Sequence, residues 1–255
     1  MLEKYTPQTV LITGATGDFG KAFAQRFAEL GSKLILIGRS EDKLKALQSE
    51  LGAQTHIAAF DMQDKKGMEA AIKAIPNEFK NIDLLINNAG LALGLDPAQN
   101  CDIEDWETMI AVNNTALVQM TRLILPIMTG NKKGHIINIG STAGSYPYAG
   151  GNVYCATKAF VKMFSLNLRA DLVGTNIRVT NIEPGAIQTQ FSEVRFKGDK
   201  AKADAVYANT NNMTANDVAE AVTWSACLPP YFNVNRMEIM PTVQSFGPLT
   251  MERSD

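Results

Sequence analysis

Short runs of apolar and β-branched residues alternate along the chain with segments whose apolar positions recur at helical spacing. The runs are TVLIT (9–13), KLILIG (33–38), THIAAFD (55–61), IDLLIN (82–87), GHIINIG (134–140), NIRVTNIEP (176–184) and RMEIM (236–240). Helical patterns cover 18–30, 40–50, 64–75, 103–128, 152–173 and 214–227, with a further helical or loop insertion at 190–212. Seven strands separated by helices predict an α/β fold with one parallel seven-stranded sheet, because each crossover has to return across the sheet. The strands read as continuous apolar runs, which is what a doubly wound sheet with helices on both faces requires. No Ser/Gly-rich linker or low-complexity tract interrupts residues 1–255, so one domain is expected. The polar stretch 190–212 follows a strand end, where ligands of such sheets sit, and reads as a substrate lid.

Composition narrows the function classes. The chain has 255 residues, 45% of them hydrophobic, and a formal net charge of −2 without blocks of like charge. Neither nucleic acid nor an anionic membrane surface is an expected partner. No apolar run is long enough to span a bilayer, and the start MLEKYTPQ is too polar and acidic for a signal peptide, so the expected location is cytoplasmic. The three cysteines, Cys101, Cys155 and Cys227, fit neither a disulfide framework nor a metal knuckle, and with only His56 and His135 no metal site is expected.

The stretch TGATGDFG (13–20) stands between the first strand and the first helix. Glycines there let the backbone approach a pyrophosphate that faces the unpaired N–H groups of the helix N-terminus, and Gly14, Gly17 and Gly20 have that placement. Alone, the motif reads equally well as a tight turn without ligand. An NAD site offers an acidic residue at the end of the second strand; this chain has Arg39 first, then Ser40. A guanidinium suits a 2′-phosphate, with Thr16 and Ser40 as hydroxyl donors, so NADP is the preferred cofactor. Ser40 also makes a plausible N-cap, with Glu41 and Asp42 in the first turn.

The reacting groups lie further on. YCATK places Tyr154 and Lys158 four residues apart on one helix face, and Ser141 stands just beyond the strand that ends INIG. A neighbouring ammonium stabilises phenolate, so Lys158 is expected to lower the pKa of Tyr154 and make it a usable base. Ser141 is placed to hydrogen-bond a substrate oxygen. In isolation Ser141 reads as a turn cap, Asn114 as a buried backbone partner and Asp61 as a strand-end turn residue.

In their order, these motifs, together with NNAG (87–90), Asn114 in a long helix and PGAIQT (184–189), resemble the short-chain dehydrogenase/reductases, across roughly residues 9 to 241. The resemblance implies a Rossmann fold, an oxidoreductase, and Ser141, Tyr154, Lys158 and Asn114 as catalytic residues, Asn114 holding a water that passes the proton from Lys158 to solvent. It implies that Lys158 also grips the nicotinamide ribose, Thr189 the carboxamide, Asp61 the adenine and Asn88, Ala89 and Gly90 the adenosine side. Phe19, Met62, Tyr154, Pro184, Gly185 and Ile187 complete the implied cofactor contacts. The stretches NNAGLALG, EDWETM, GHIINIGSTAGSYPYAGGNVY, ATKAFV, FSLNLR and VRFKGD narrow this to the bacterial NADP-dependent 3-hydroxy acid dehydrogenases, which act on L-serine and L-allo-threonine and reduce malonic semialdehyde. One position departs from the family pattern: Asp18 stands where a glycine is expected. A carboxylate aimed at a phosphate would repel it, so the Asp18 side chain is expected to point away, towards a backbone N–H.

A hydroxy acid needs a cation for its carboxylate. Arg195 and Lys197 lie in the lid-like stretch, and Arg195 is the preferred substrate residue beside Ser141 and Tyr154. Either cation reads also as a solvated surface charge. Tyr146, Pro147 and Tyr148 follow Ser141 as a wall for a small pocket, or as packing. A broad carbonyl reductase shares every catalytic residue and differs only in the pocket, whereas an NADP-sensing protein would typically lack the Tyr or Lys. The resemblance also implies a homotetramer formed through the two long helices 103–128 and 152–173, with the tail VQSFGPLTMERSD completing the interface.

Overall fold

The computed structural model describes residues 5–52, 54–208 and 210–247. Strands β1 (Thr9–Thr13), β2 (Lys33–Gly38), β3 (Thr55–Ala59), β4 (Leu84–Asn87), β5 (Gly134–Ile139), β6 (Ile177–Pro184) and β7 (Arg236–Ile239) form one parallel seven-stranded sheet in the order β3-β2-β1-β4-β5-β6-β7. The progression reverses between β1 and β4, and the C-terminal ends of these strands open the crevice where ligands of such sheets bind.

Alternate side chains of each central strand serve opposite layers. Val10 and Ile12 of β1, with Leu34 and Leu36 of β2, meet α1 (Asp18–Glu29), α2 (Glu41–Leu51) and α9 (Ala215–Ala226) through Phe23, Phe27, Leu44, Val218 and Val222. Leu11, Ile35 and Ile37 face the other way, onto α3 (Lys65–Lys73), α5 (Leu117–Gly130) and α6 (Asn152–Asp171) through Met68, Met120, Ile124 and Leu168. Burying one such aliphatic or aromatic side chain stabilises the fold by roughly 1.5–3 kcal/mol, so each strand anchors both layers.

Two expectations need correction. β5 and β6 are not wholly apolar: His135, Asn138, Arg178, Thr180, Asn181 and Glu183 are all buried in them. Each has a partner. His135 Nε2 meets Thr180 Oγ1 at 2.8 Å, Arg178 donates to the carbonyls of Ser225 and Ala226 at 2.8 and 2.7 Å, and Glu183 receives Arg236 through two 2.7 Å contacts. The long helix 103–128 is instead α4 (Ile103–Ile110), a π-turn over Ala111–Ala116 and then α5, which runs through Pro126. The insertion expected at 190–212 contains two short helices, α7 (Phe191–Arg195) and α8 (Lys200–Ala205).

No helix of the described residues is long and apolar enough to cross a membrane, and no group of three or more His, Cys, Asp or Glu among them is placed to hold a metal ion. Residues 1–4 of the starting stretch and 248–255 of the tail lie outside the described residues.

Candidate active site

The glycine turn is built around a left-handed residue and a close approach. Gly14 has φ +64°, and a Cβ on it would come within 3.0 Å of the Ala89 Cα, so a side chain is excluded on both counts. Asn88 fixes the turn from across the sheet, its Nδ2 donating to the carbonyls of Thr13 (2.9 Å) and Gly14 (3.1 Å). Thr13 Oγ1 in turn accepts the N–H groups of Asn88 and Ala89, both at 3.0 Å. The segments 13–14 and 88–89 are thereby held as one ledge.

Above that ledge, α1 starts at Asp18 with Gly17 as its N-cap, which contributes no side-chain cap. The first N–H groups of a helix lack intrahelical partners. A Cβ on Gly17 would find nothing nearer than the Gly14 carbonyl at 3.6 Å, so its glycine leaves space rather than avoiding a clash. A helix end without a cap beneath an open cradle is the donor set a diphosphate requires. Phe19 packs on Phe23 with ring centroids 6.0 Å apart, and the buried Gly20 and exposed Lys21 continue the helix.

At the end of β2, Arg39 is exposed and has no hydrogen-bond or ion-pair partner among the described residues, while a Cβ on Gly38 would come within 3.4 Å of the Thr16 side chain. Ser40 caps α2 by accepting the Lys43 N–H at 3.3 Å, and Glu41 pairs with Lys45 at 2.7 Å rather than with Arg39. The guanidinium is therefore free to meet an anion beside the turn. Asp61 is exposed and accepts the Gln63 N–H at 2.9 Å, a turn contact, and Met62 beside it is buried in the core.

The residues of the expected reacting group converge at the C-terminal end of β5. Ser141 caps the short turn Thr142–Gly144 through a 3.1 Å bond from the Ala143 N–H, so it is a turn residue as well as a candidate donor. Tyr154 and Lys158 both lie buried on α6, with the Lys158 Nζ 5.9 Å from the phenol ring centroid and donating to the Ile139 carbonyl at 2.9 Å. Burial pushes the Lys158 pKa down to about 8. The Tyr154 phenol is pushed well above its usual range, chiefly by burial, and the Ser141 hydroxyl and the Arg195 charge act in the opposite direction. This corrects the expectation of a lowered tyrosine: in the protein alone, desolvation of the phenolate outweighs its neighbours.

The π-turn before α5 serves this corner. Asn114 donates to the Thr157 carbonyl at 3.0 Å. Its neighbour Asn113, which the sequence reading did not single out, does more. Its amide accepts the Leu91 N–H and donates to the Leu91 carbonyl, both at 2.8 Å, and reaches Thr157 Oγ1 at 3.1 Å. It ties the backbone after Gly90 to α6 one turn from Tyr154. The signal was present as a pair of polar amides inside an otherwise apolar helical pattern.

On the far wall, Pro184 ends β6, Gly185 donates to the Ile239 carbonyl at 2.8 Å and Ile187 forms a bridge with Met213. Thr189 accepts the Phe191 N–H at 3.3 Å. Beyond it α7 brings Arg195 over Tyr154: its guanidinium carbon lies 4.9 Å from the Tyr154 ring centroid, 5.1 Å from Phe191 and 5.7 Å from Tyr148. Arg195 Nη2 donates to the Tyr148 hydroxyl at 2.8 Å, and its buried Nε has no protein partner among the described residues. Lys197 points elsewhere, to Asp105 on α4 at 2.8 Å. Tyr148 thus belongs to the wall, whereas Tyr146 turns away to Glu238 (3.3 Å) and Phe246.

The chain is similar in sequence and in fold to known proteins. A sequence profile for the family described as short chain dehydrogenase matches residues 8–200. NADP-dependent 3-hydroxy acid dehydrogenase YdfG of Salmonella typhi is 54% identical over 246 residues, covering 96% of this chain and 99% of that protein. Serine 3-dehydrogenase of Rhizobium radiobacter is 47% identical over 239 residues, 94% of this chain and 96% of that protein. Among solved structures, the closed form of serine dehydrogenase complexed with NADP+ is 53% identical and superposes with a TM-score of 0.95, covering 97% of this chain and 100% of that one.

Proposed function

The chain belongs to the short-chain dehydrogenase family and is an NADP-dependent oxidoreductase acting on CH–OH groups; from that premise we propose that its substrates are small 3-hydroxy acids, L-serine and L-allo-threonine among them, and in reverse the corresponding aldehyde acids such as malonic semialdehyde. The observation that carries this reading is Arg195, a cation set among the rings of Tyr148, Tyr154 and Phe191 and carrying an Nε donor without a partner among the described residues. A guanidinium in that place suits a substrate carboxylate while the reacting carbon lies near the phenol. The names of the relatives, 3-hydroxy acid and serine dehydrogenase, support the same class.

For the cofactor, Gly14, Thr16, Gly17, Phe19 and Gly20 line the phosphate turn, and the unpaired Arg39, with Ser40, favours a 2′-phosphate and so NADP over NAD. Asp61 and Met62 flank the adenine, Asn88 to Gly90 the adenosine side, and Pro184, Gly185, Ile187 and Thr189 the nicotinamide. NADP, when bound, supplies the carbon that accepts or returns the hydride. The protein's own residues manage the proton. Ser141 hydrogen-bonds the substrate oxygen, Tyr154 exchanges a proton with it, and the Lys158 ammonium favours phenolate during oxidation. The raised phenol suits proton donation in the reductive direction at neutral pH. Asn114 orders the path by which Lys158 exchanges that proton with solvent.

We read residues 1–255 as one catalytic domain with 190–212 as its lid, in a cytoplasmic protein. We read the assembly as a homotetramer, supported by Ile110 on α4 and Phe160 and Met163 on α6, which are exposed large apolar side chains on the helices expected to pair.

The test is Arg195→Ala in steady-state kinetics. We expect KM for L-serine to rise about a hundredfold, the loss of a charge-assisted contact, with KM for a neutral secondary alcohol changed less than about threefold. An equal loss for both substrates would remove Arg195 from the carboxylate site.

A further inference from the structure

Asp18 occupies the first turn of α1, one residue past Gly17, at the helix end that the reading above gives to the cofactor phosphates. The macrodipole favours a carboxylate at this end, yet one aimed at a diphosphate would oppose it. The side chain is directed elsewhere: Asp18 Oδ2 accepts the backbone N–H of Gln190 at 2.6 Å, across 172 positions of sequence. Gln190 is the N-cap of α7 and follows Thr189 directly, so the bond joins the phosphate turn to the root of the segment that carries Arg195.

The rest of that segment is held from the opposite side. The Arg195 carbonyl accepts the Gly94 N–H at 2.9 Å, and Lys197 pairs with Asp105 on α4 at 2.8 Å. Towards α1 and α9 there is instead a cavity of about 510 Å³, bordered by Lys21, Gln25, Lys200 and Asp204. Helices α7 and α8 pack more closely on each other than on any other element. Among the described residues, Asp18 to Gln190 is the one hydrogen bond between α1 and the segment 186–208.

We infer that Asp18 is a positioning residue: it ties the root of the lid to the phosphate-binding turn, so that cofactor binding and closure of the lid over Tyr154 are coupled. The inference rests on the proposed cofactor and lid assignments. With the bond in place, the turn that receives the phosphates and the backbone of Thr189 and Gln190 share one register. A glycine or alanine at position 18 leaves the Gln190 N–H to solvent and removes the bond from the lid's root to α1.

The experiment compares full-length wild type, Asp18→Ala and Asp18→Asn by hydrogen exchange over residues 187–205, with and without NADP, beside kinetics on L-serine. In wild type, NADP slows exchange in this stretch. In Asp18→Ala, exchange is about tenfold faster, NADP restores little of it, and KM for L-serine rises about tenfold with kcat changed less than about twofold. Asp18→Asn keeps an acceptor oxygen and behaves as wild type. Unchanged exchange in Asp18→Ala, or Asp18→Asn behaving as the alanine variant, overturns the inference. NADP binding to wild type is followed separately by fluorescence. Failure to bind there overturns the cofactor reading and the coupling together, whereas binding with an undisturbed lid in Asp18→Ala overturns the coupling alone.

Discussion

Among the described residues the Lys158 ammonium has one protein acceptor, the Ile139 carbonyl, and its folded-state pKa is lowered from 10.5 to about 8 by burial. Between about pH 8 and pH 10.5 the unfolded chain binds the proton that the folded chain has lost, so stability rises with pH across that window. Below pH 8 the folded protein bears the full penalty of the buried charge. Lys158→Met removes that penalty and leaves one carbonyl unsatisfied. It is expected to abolish turnover while raising the free energy of unfolding at pH 7 by about 2 kcal/mol, an advantage that vanishes towards pH 10.5. Urea denaturation at the two pH values checks this, and a difference independent of pH would contradict it. At this scale the sequence is most readable where chemistry demands a fixed spacing, as in Tyr154 and Lys158 on one helix face. It is least readable where environment decides, since nothing in YCATK indicates that burial raises the tyrosine above its usual range.

Between residues 103 and 130 the apolar spacing is continuous, so periodicity reads a single helix where the protein places a π-turn between α4 and α5. Such bulges recur at functional sites, because the extra residue re-aims the side chains around it. Here Asn113 bonds both backbone groups of Leu91, and Asn114 bonds the Thr157 carbonyl. A second misreading has the same origin. The polar residues of β5 and β6 are invisible to a search for apolar runs, yet Asn87, Asn138 and Ser165 form a buried chain of bonds at 2.8 Å from β4 through β5 to α6. Because the Leu91 N–H and carbonyl would both lose their partner, Asn113→Leu is expected to cost roughly 3 kcal/mol and about 10 °C in melting temperature, with loss of turnover. A fall of less than about 2 °C, measured by calorimetry, would show that the amide is not a structural clasp.

The whole molecule follows from alternation and connection rules: seven strands, parallel pairing and helices on both faces were legible from pattern alone, and the crevice over β1, β4 and β5 follows from where the strand order reverses. The segment 190–212 was legible as a lid-like insertion, but its contacts were not. Its placement depends on contacts far apart in sequence, Asp18 with Gln190, Gly94 with Arg195 and Lys197 with Asp105, and these set Arg195 over Tyr154. That position puts a cation beside Tyr154, where the proposed 3-hydroxy acid would bring its carboxylate. The most direct measurement is NADPH absorbance formed from NADP and L-serine, run beside NAD with L-serine and NADP with a neutral secondary alcohol. The account predicts rapid NADPH formation from serine, with NAD and the neutral alcohol each at least about tenfold poorer in kcat/KM. Turnover of the neutral alcohol without that of serine would contradict it and make the protein a general carbonyl reductase.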